Sequence, residues 1–517
     1  MNGISLVLAL LPLVFIFLLL VLRRTAADVA GLAGWLLALV IVIFWFQTPP
    51  GVALQASLGG VVASFPISLM VLTSILQITL MLETGAIQRV VVLMKAVAPG
   101  NQVVQIMIIN LGFGTLLAAM GATPVSILPP IMLAMGYSSF VAIALPAIGY
   151  DALCTYALLG IPVVVFSNFV QLPVNEVGIY FARFMPVISS CIALGMLYIV
   201  GGWKMIWKGV LPALIAGVTA GLTALVMNAA RMIPLTGVAA GLAVILVELA
   251  YLKLRGERLY DRSVLTEQDL ITERRMPLWR ALFPWILLTF FSVLINAPFL
   301  PFYNWLFVQQ AMPLEIIPNE PEKIRLWWQA YFWILVSTLL ALPVLKPERG
   351  VLRRALSKWL KRAPRPMAAA AVFFALAYLI NHSGKGLDWT LADPGRNMIN
   401  VIAGASAAGF GRLYPLIAPF LGLLGGFVSG SEASSIAMLT RLHLSTAQQV
   451  GLAGVVIAAA SGIGGGLASV ISPAKLQNAA ASIDRIGEEG QVLRVTFVIA
   501  VVITAVCALL SLVWAYG

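Results

Sequence analysis

Three ionisable side chains stand in stretches where charge is costly: Glu432 in GSEASSIAM, Lys475 in SPAKLQNAA and Asp151 in IGYDALCTY. A charged side chain inside a membrane span costs about 2.5–3.5 kcal/mol on insertion scales, so it is seldom idle. Two carboxylates and one amine offer two kinds of chemistry there. An acid removed from water can bind and release a proton near neutral pH. An ammonium can pair with the carboxylate of a small anion. Ser429, Ser431, Ser434 and Ser435 surround Glu432 with hydroxyls that can also cap broken backbone. Each charge has a structural alternative. Glu432 fits the N-terminus of a half-helix as an anion answering its dipole, Lys475 fits a snorkelling side chain, and Asp151 fits a salt-bridge partner for Lys475. Glu83 and Glu248 are expected at interfaces, and His382, in NHSGKG, in a turn.

Other chemistries lack their residues. Cys154, Cys191 and Cys507 lie far apart in apolar segments, and His382 and His443 are isolated, so the spacing supports no metal, haem, cofactor or disulfide framework. There is no HExxH run and no GxSG beside a histidine, which argues against an intramembrane enzyme.

The elements that must position these residues are membrane helices. Of 517 residues, 61% are hydrophobic and 10% charged, more apolar surface than a soluble fold can cover. Apolar runs recur at the length of about 20 residues that crosses a bilayer. The net charge of +12 is not spread as a nucleic-acid surface would be. Fifteen of the 32 Lys and Arg fall in 253–280 (seven) and 346–365 (eight), the mark of cytoplasmic loops. The second of these segments is expected as an amphipathic helix on an anionic leaflet. The connector 296–323 holds three glutamates and suits the outside. Arg23 and Arg24 follow the first span, which predicts a retained first helix with its N-terminus outside rather than a signal peptide.

Apolar segments are expected near 4–22, 28–46, 61–82, 103–119, 124–135, 138–170, 180–200, 209–228, 233–252, 281–297, 327–345, 366–381, 396–409, 411–428, 446–466 and 491–515. That makes roughly 12 to 14 spans or half-spans. The informative places are the breaks. NLGFGTLLAAMGATPVSILPP at 110–130 is too rich in Gly and Pro for one helix, and Gly160 and Pro162 interrupt the next segment. GGFVSGSEASS and SGIGGGLASVISP repeat the arrangement late in the chain. Gly121 to Pro162 is 41 residues and Gly430 to Pro473 is 43. Paired interruptions in two halves point to the midplane site of a secondary transporter. Unwound backbone survives at that depth only where protein or water satisfies it. Helix N-termini at such breaks favour an anion by about 0.3–1 kcal/mol each. The alternative is that the glycines only let helices pack closely.

At these residues the chain resembles the L-lactate permease family. FLGLLGGFVSGSEASS, TAQQVGLAGVVIAAASGIGGGLASVISP and LRVTFVIAVVITAV carry the likeness, with weaker support from INHSGKGLDWTLA and from GATPVSI followed by LLGIPV. The resemblance implies uptake of a small 2-hydroxy monocarboxylate with protons. It also implies two inverted repeats, each with a re-entrant hairpin and a broken helix. Several positions depart from the family pattern. Leu116 stands where the family has a glutamate, Ser469 where it has a lysine, Asp151 where it has a small polar residue and Glu432 where it has aspartate. Lys475 is an added base nearby, so the chain reads as a divergent member.

The combined expectation is an all-α polytopic protein of a bacterial cytoplasmic (inner) membrane. An N-terminal repeat covers 1–252 with breaks in 110–165. A basic loop (253–280), two spans (281–345) and a basic segment (346–365) follow. The C-terminal repeat covers 366–517 with breaks in 425–480. Gly121, Thr123, Ser126, Gly160, Gly430, Ser431, Ser434, Ser435, Ser472 and Lys475 are expected to hold the substrate, and Glu432 and Asp151 the proton or cation. The expected partners are a small organic anion, H+ (or Na+) and the bilayer, with no nucleic acid, metal or cofactor and with a homodimer as the candidate assembly. A Na+-coupled dicarboxylate carrier and a passive anion channel are the competing readings.

Overall fold

The computed structural model describes residues 3–23, 25–297, 300–485 and 487–516, so Arg24 lies outside the described residues. Twelve helices among these residues are long and apolar enough to cross a membrane, and Pro50–Ala63, Pro124–Ala134 and Ala330–Leu345 are shorter apolar helices beside them. The chain is an all-α, multi-pass membrane protein. Helices that face outward carry large exposed apolar side chains such as Val7, Leu36, Leu246 and Val513, as contact with lipid requires.

The expected spans near 180–200 and 209–228 are two helices within Met185–Ala229, separated by a kink where Gly201 and Gly202 leave helical dihedrals. The connector expected as a loop contains a short antiparallel hairpin, Met312–Ile317 with Glu320–Ile324. Its alternating charged residues suit a two-stranded ribbon outside the apolar layer.

The ends of the helices sort onto two faces. On one, the basic segments meet span ends: Arg365 pairs with Asp28 at 2.8 Å, Lys358 with Glu83 at 2.5 Å, Lys95 with Asp269 at 2.9 Å and Arg89 with Glu273 at 3.1 Å. Arg349–Arg362 is the expected basic helix, and its Trp359 Nε1 donates to Leu72 O at 2.9 Å. On the other face the β-hairpin is held by Glu320, which meets His382 and Arg441 at 3.1 Å and Lys385 at 3.2 Å.

Two hairpins with interrupted tips lie between these faces. The first runs through Gln102–Ile106, the π-helical Met107–Phe113 and Gly114–Ala119, turns at 120–123, and returns as Pro124–Ala134. Its entry sits on the basic face, where Ala98 N donates to Leu259 O at 3.0 Å. The second is Tyr414–Ser429 and Glu432–Val450, turning at Gly430 with φ +70°. Its entry is near the opposite face: Arg441 reaches the β-hairpin, and Tyr414 Oη lies 2.7 Å from His443 Nδ1.

Each hairpin is followed by a broken helix. Ser139–Gly149 leads into the 3-10 turn Tyr150–Tyr156 and then Ala157–Val170. Gly454–Leu467 leads into the 3-10 turn Ala468–Ile471 and then Pro473–Ser482. In the first break Leu158, Leu159 and Gly160 are all left-handed, with φ of 57°, 57° and 79°. Two successive leucines in that region are strained, a cost that surrounding structure must offset. In the second half, Gly422 and Gly426 set Tyr414–Ser429 directly on the backbone of Gly454–Leu467. A Cβ at either would meet the carbonyl of Ser461 or Gly465. This close approach holds the second hairpin against the second broken helix.

Candidate functional site

Both breaks open onto one buried polar cluster. Glu432 is the first residue of its helix, but the cap is Ser431, whose side chain accepts from Ser434 N at 3.4 Å. The Glu432 carboxylate turns away from its own helix end instead. Its Oε1 accepts from Thr155 Oγ1 at 2.6 Å, and its Oε2 has no hydrogen-bond partner among the described residues. Glu432 is 3% exposed. Gly466 makes room for it: a Cβ there would lie 2.6 Å from Glu432 Oε2 and 3.4 Å from Cys154 Cβ.

Lys475 lies one turn into Pro473–Ser482, where its ammonium donates to Ser469 Oγ at 2.5 Å and sits 5.4 Å from the centroid of the Tyr150 ring. Ser469 stands where the family likeness expects a lysine, and Lys475 reaches back to that point. Asp151 is 5% exposed, and neither carboxylate oxygen has a hydrogen-bond partner among the described residues. Ser469, Val470 and Lys475 are its polar neighbours. The alternative of a Lys475–Asp151 salt bridge is not realised within 4.0 Å among those residues.

The remaining expected residues fall into three groups. Gly430 and Ser472 join the two breaks of the second half: a Cβ on Gly430 would lie 3.6 Å from Ser472 Oγ, and Ser472 is the N-cap of Pro473–Ser482. The helix N-termini at Ser431 and Ser472 therefore converge beside Glu432 and Lys475. Ser434 Oγ is buried without a partner among the described residues, whereas Ser435 Oγ donates to Gly422 O at 3.0 Å and serves packing. Ser126 lies at the edge, accepting from Asn478 Nδ2 at 2.8 Å. It lines a recess of about 820 Å³, including space open to solvent, that also touches Gln268 and Asp269 of the basic-face loop. Thr123 is exposed, and Gly121 packs against Ser74, Ile334 and Leu158. Gly160 packs on Ile233 and Pro234. These last two shape the first break without touching the charged cluster.

Sequence reasoning missed Thr155, Ser469 and Asn478 as polar partners, and Gly466 as the space for the carboxylate. Thr155 lies in the same YDALCTY stretch as Asp151, and four residues on is one helical turn. Glu248, expected at an interface, is instead 0% exposed within Thr236–Leu254. Among the described residues no group of three or more His, Cys, Asp or Glu is placed to hold a metal ion. What the cluster can do is hold an anion on Lys475 and two helix N-termini while a neighbouring carboxylate takes a cation.

A family model described as L-lactate permease matches residues 5–516. The chain belongs to the L-lactate permease family. Relatives within it include the glycolate permease GlcA of Escherichia coli, 24% identical over 99% of this chain and 96% of that one. The L-lactate permease of Salmonella typhi is 23% identical over the same shares, and that of Bacillus subtilis 23% over 94% and 92%. Among solved structures, Neisseria gonorrhoeae MtrF, described within a class of antimetabolite efflux pumps, aligns with a TM-score of 0.44 at 12% identity, covering 90% of this chain and 84% of that one.

Proposed function

We propose that this permease is a secondary active transporter that takes up a small 2-hydroxy monocarboxylate, such as lactate or glycolate, together with H+. The names of its lactate and glycolate permease relatives support the substrate class. The meeting of both breaks at the Thr155–Glu432 bond carries the mechanism, because a site built from two halves can open to one side or the other as they move. Lys475, with the helix N-termini at Ser431 and Ser472, holds the substrate carboxylate. Glu432 carries the proton, with Asp151 as the second acid.

The basic segments mark the cytoplasmic face by the positive-inside rule. Asp28 pairs with Arg365 on that face, just after the first span, which supports reading the N-terminus as outside. Opposed hairpin entries support reading 1–252 and 366–517 as two inverted repeats with 253–365 between them. Transport through an alternating site moves the substrate without a covalent reaction.

Proteoliposomes of purified protein test this reading. Labelled lactate or glycolate should accumulate when the outside is acidified and should not respond to a Na+ gradient. Uptake indifferent to pH but driven by Na+ would favour a Na+-coupled carrier, and equilibration without accumulation a channel.

A further inference from the structure

We propose that Glu248 is a second proton-binding residue of the carrier, placed between the central site and the basic face; this rests on the transport reading above. Glu248 is 0% exposed, and both carboxylate oxygens lack a hydrogen-bond partner among the described residues. An ionised carboxylate buried without a partner is far more costly than the neutral acid, which singles out Glu248 as a proton-binding candidate.

The surroundings are built for more than packing. Gly241, Val244, Glu248 and Leu252 share one face of Thr236–Leu254 by helical spacing. That face lies on the first hairpin: a Cβ at Gly241 would be 2.7 Å from Gly112 O, and Leu252 clusters with Val104 and Ile108. The segment it meets, Met107–Phe113, is π-helical, a register that recurs at functional positions because it displaces backbone groups from the regular ladder. Asn110 within it is 0% exposed, with Oδ1 unpartnered among the described residues. Asn110 in turn abuts Gly149, directly before the turn that carries Asp151.

Asp151, Asn110 and Glu248 are thus three buried side chains with oxygens unpartnered among the described residues, carried by elements that contact one another in turn. Glu248 lies seven residues, about two turns, before Arg255 at the end of its helix. The step is a proton transfer alone. An O–H bond on the Asp151 carboxyl breaks as one forms on Glu248, and the Glu248 O–H bond breaks in turn as water at the basic face takes the proton. The other titratable side chains on the packed elements are Cys191, Tyr198, Lys204 and Lys208 of Met185–Ala229, and Tyr150, Cys154 and Tyr156 of the turn. None of them lies within hydrogen-bond or salt-bridge distance of Glu248, and both lysines are exposed.

Wild-type and E248Q proteoliposomes carrying an internal pH dye test the proposal. Two rates are read: exchange of labelled for unlabelled lactate, which needs no net proton movement, and lactate-driven proton entry. E248Q should keep most of the exchange while proton entry falls to the level of protein-free liposomes. An unchanged ratio of protons to lactate overturns the proposal. Loss of both rates assigns Glu248 to packing and overturns it too. The infrared difference between wild type and E248Q should contain a protonated-carboxyl band that titrates with pH, which supports the proposal independently of transport; a difference spectrum without that band overturns it. Wild-type protein that exchanges no lactate would sink the carrier reading and this inference with it.

Discussion

Thr155 Oγ1 donates to Glu432 Oε1 at 2.6 Å, joining residues 277 apart in the chain. One belongs to the 3-10 turn of the first broken helix, the other to the tip of the second hairpin. A hydroxyl can donate to an ionised acid or accept from a neutral one, so this bond can persist through a change of protonation. Glu432→Gln keeps the shape and removes the titration. Its expected phenotype is lactate exchange without accumulation under a pH gradient, and accumulation at the wild-type level would remove Glu432 from the coupling role. Thr155→Val deletes the donor to a group that can be charged, a loss of about 1.5–3 kcal/mol. The pH at half-maximal uptake should move, while a Thr155→Ser variant restores it.

Lys475 is the only base in direct contact with the cluster among the described residues, through Ser469 and the Tyr150 ring. A charge-assisted contact to a carboxylate contributes about 1.5–3 kcal/mol, or about 10- to 100-fold in affinity. Lys475→Met should raise the half-saturating lactate concentration by that factor. A double variant Lys475→Met with Ser469→Lys returns the ammonium to the family's position and should recover part of the loss. Uptake in K475M at wild-type affinity would assign Lys475 to the interface instead.

Gly466 tests the space left for the acid. An added methyl would lie 2.6 Å from Glu432 Oε2 and 3.4 Å from Cys154 Cβ, so the carboxylate must shift from its present place. Because the nearest atom ends a flexible side chain, the cost falls at the low end of the about 1–3 kcal/mol of core overpacking, and displacement of the acid is the larger effect. Gly466→Ala is therefore expected to lower the thermal unfolding midpoint and to impair pH-driven accumulation. Gly490, where nothing lies within 4 Å of an added Cβ, should accept alanine without either effect.

The fold was legible where hydropathy and chain-breaking residues coincide. The Gly121, Gly160, Gly430 and 467–473 interruptions each mark a real departure from helix, because glycine and proline act on the local backbone whatever the tertiary context. The site was legible only through its charges. Glu432, Lys475 and Asp151 stand out in apolar sequence, but Thr155 and Ser469 are ordinary hydroxyls there, and only the folded turns bring them to the charges. Glu248 shows the limit of reasoning from position along a span. It lies near the end of its helix and next to a basic loop, yet its side chain is buried rather than in water, and which face of a helix meets a partner is set by packing. The β-hairpin at 312–324 was hidden for a different reason: a lone two-stranded ribbon gains its order from what it clasps.

That clasp gives a pH dependence with a definite sign. Glu320, on the β-hairpin, meets His382, Arg441 and Lys385, and the His382 hydrogen bond, then the nearby cations, hold its carboxyl well below the ordinary value of 4.5. A carboxylate whose acidity is strengthened by folding stabilises the folded state above its unfolded value and loses that contribution as pH falls through its lower folded value. Stability supplied by Glu320 is therefore fully present at neutral pH and declines below about pH 4.5. Glu322, two residues on, behaves oppositely because burial pushes its carboxyl up. Comparing wild type with E320Q isolates the first contribution. With Glu320 side-chain exposure at 36%, solvent screening limits the effect to the order of 1 kcal/mol. Thermal unfolding in detergent across a pH series should show E320Q less stable at neutral pH, the gap closing as the solution is acidified. A gap that widens on acidification, or none at any pH, would mean that the hairpin is held by its apolar contacts, such as Ile317 against Gly59, and not by its charges.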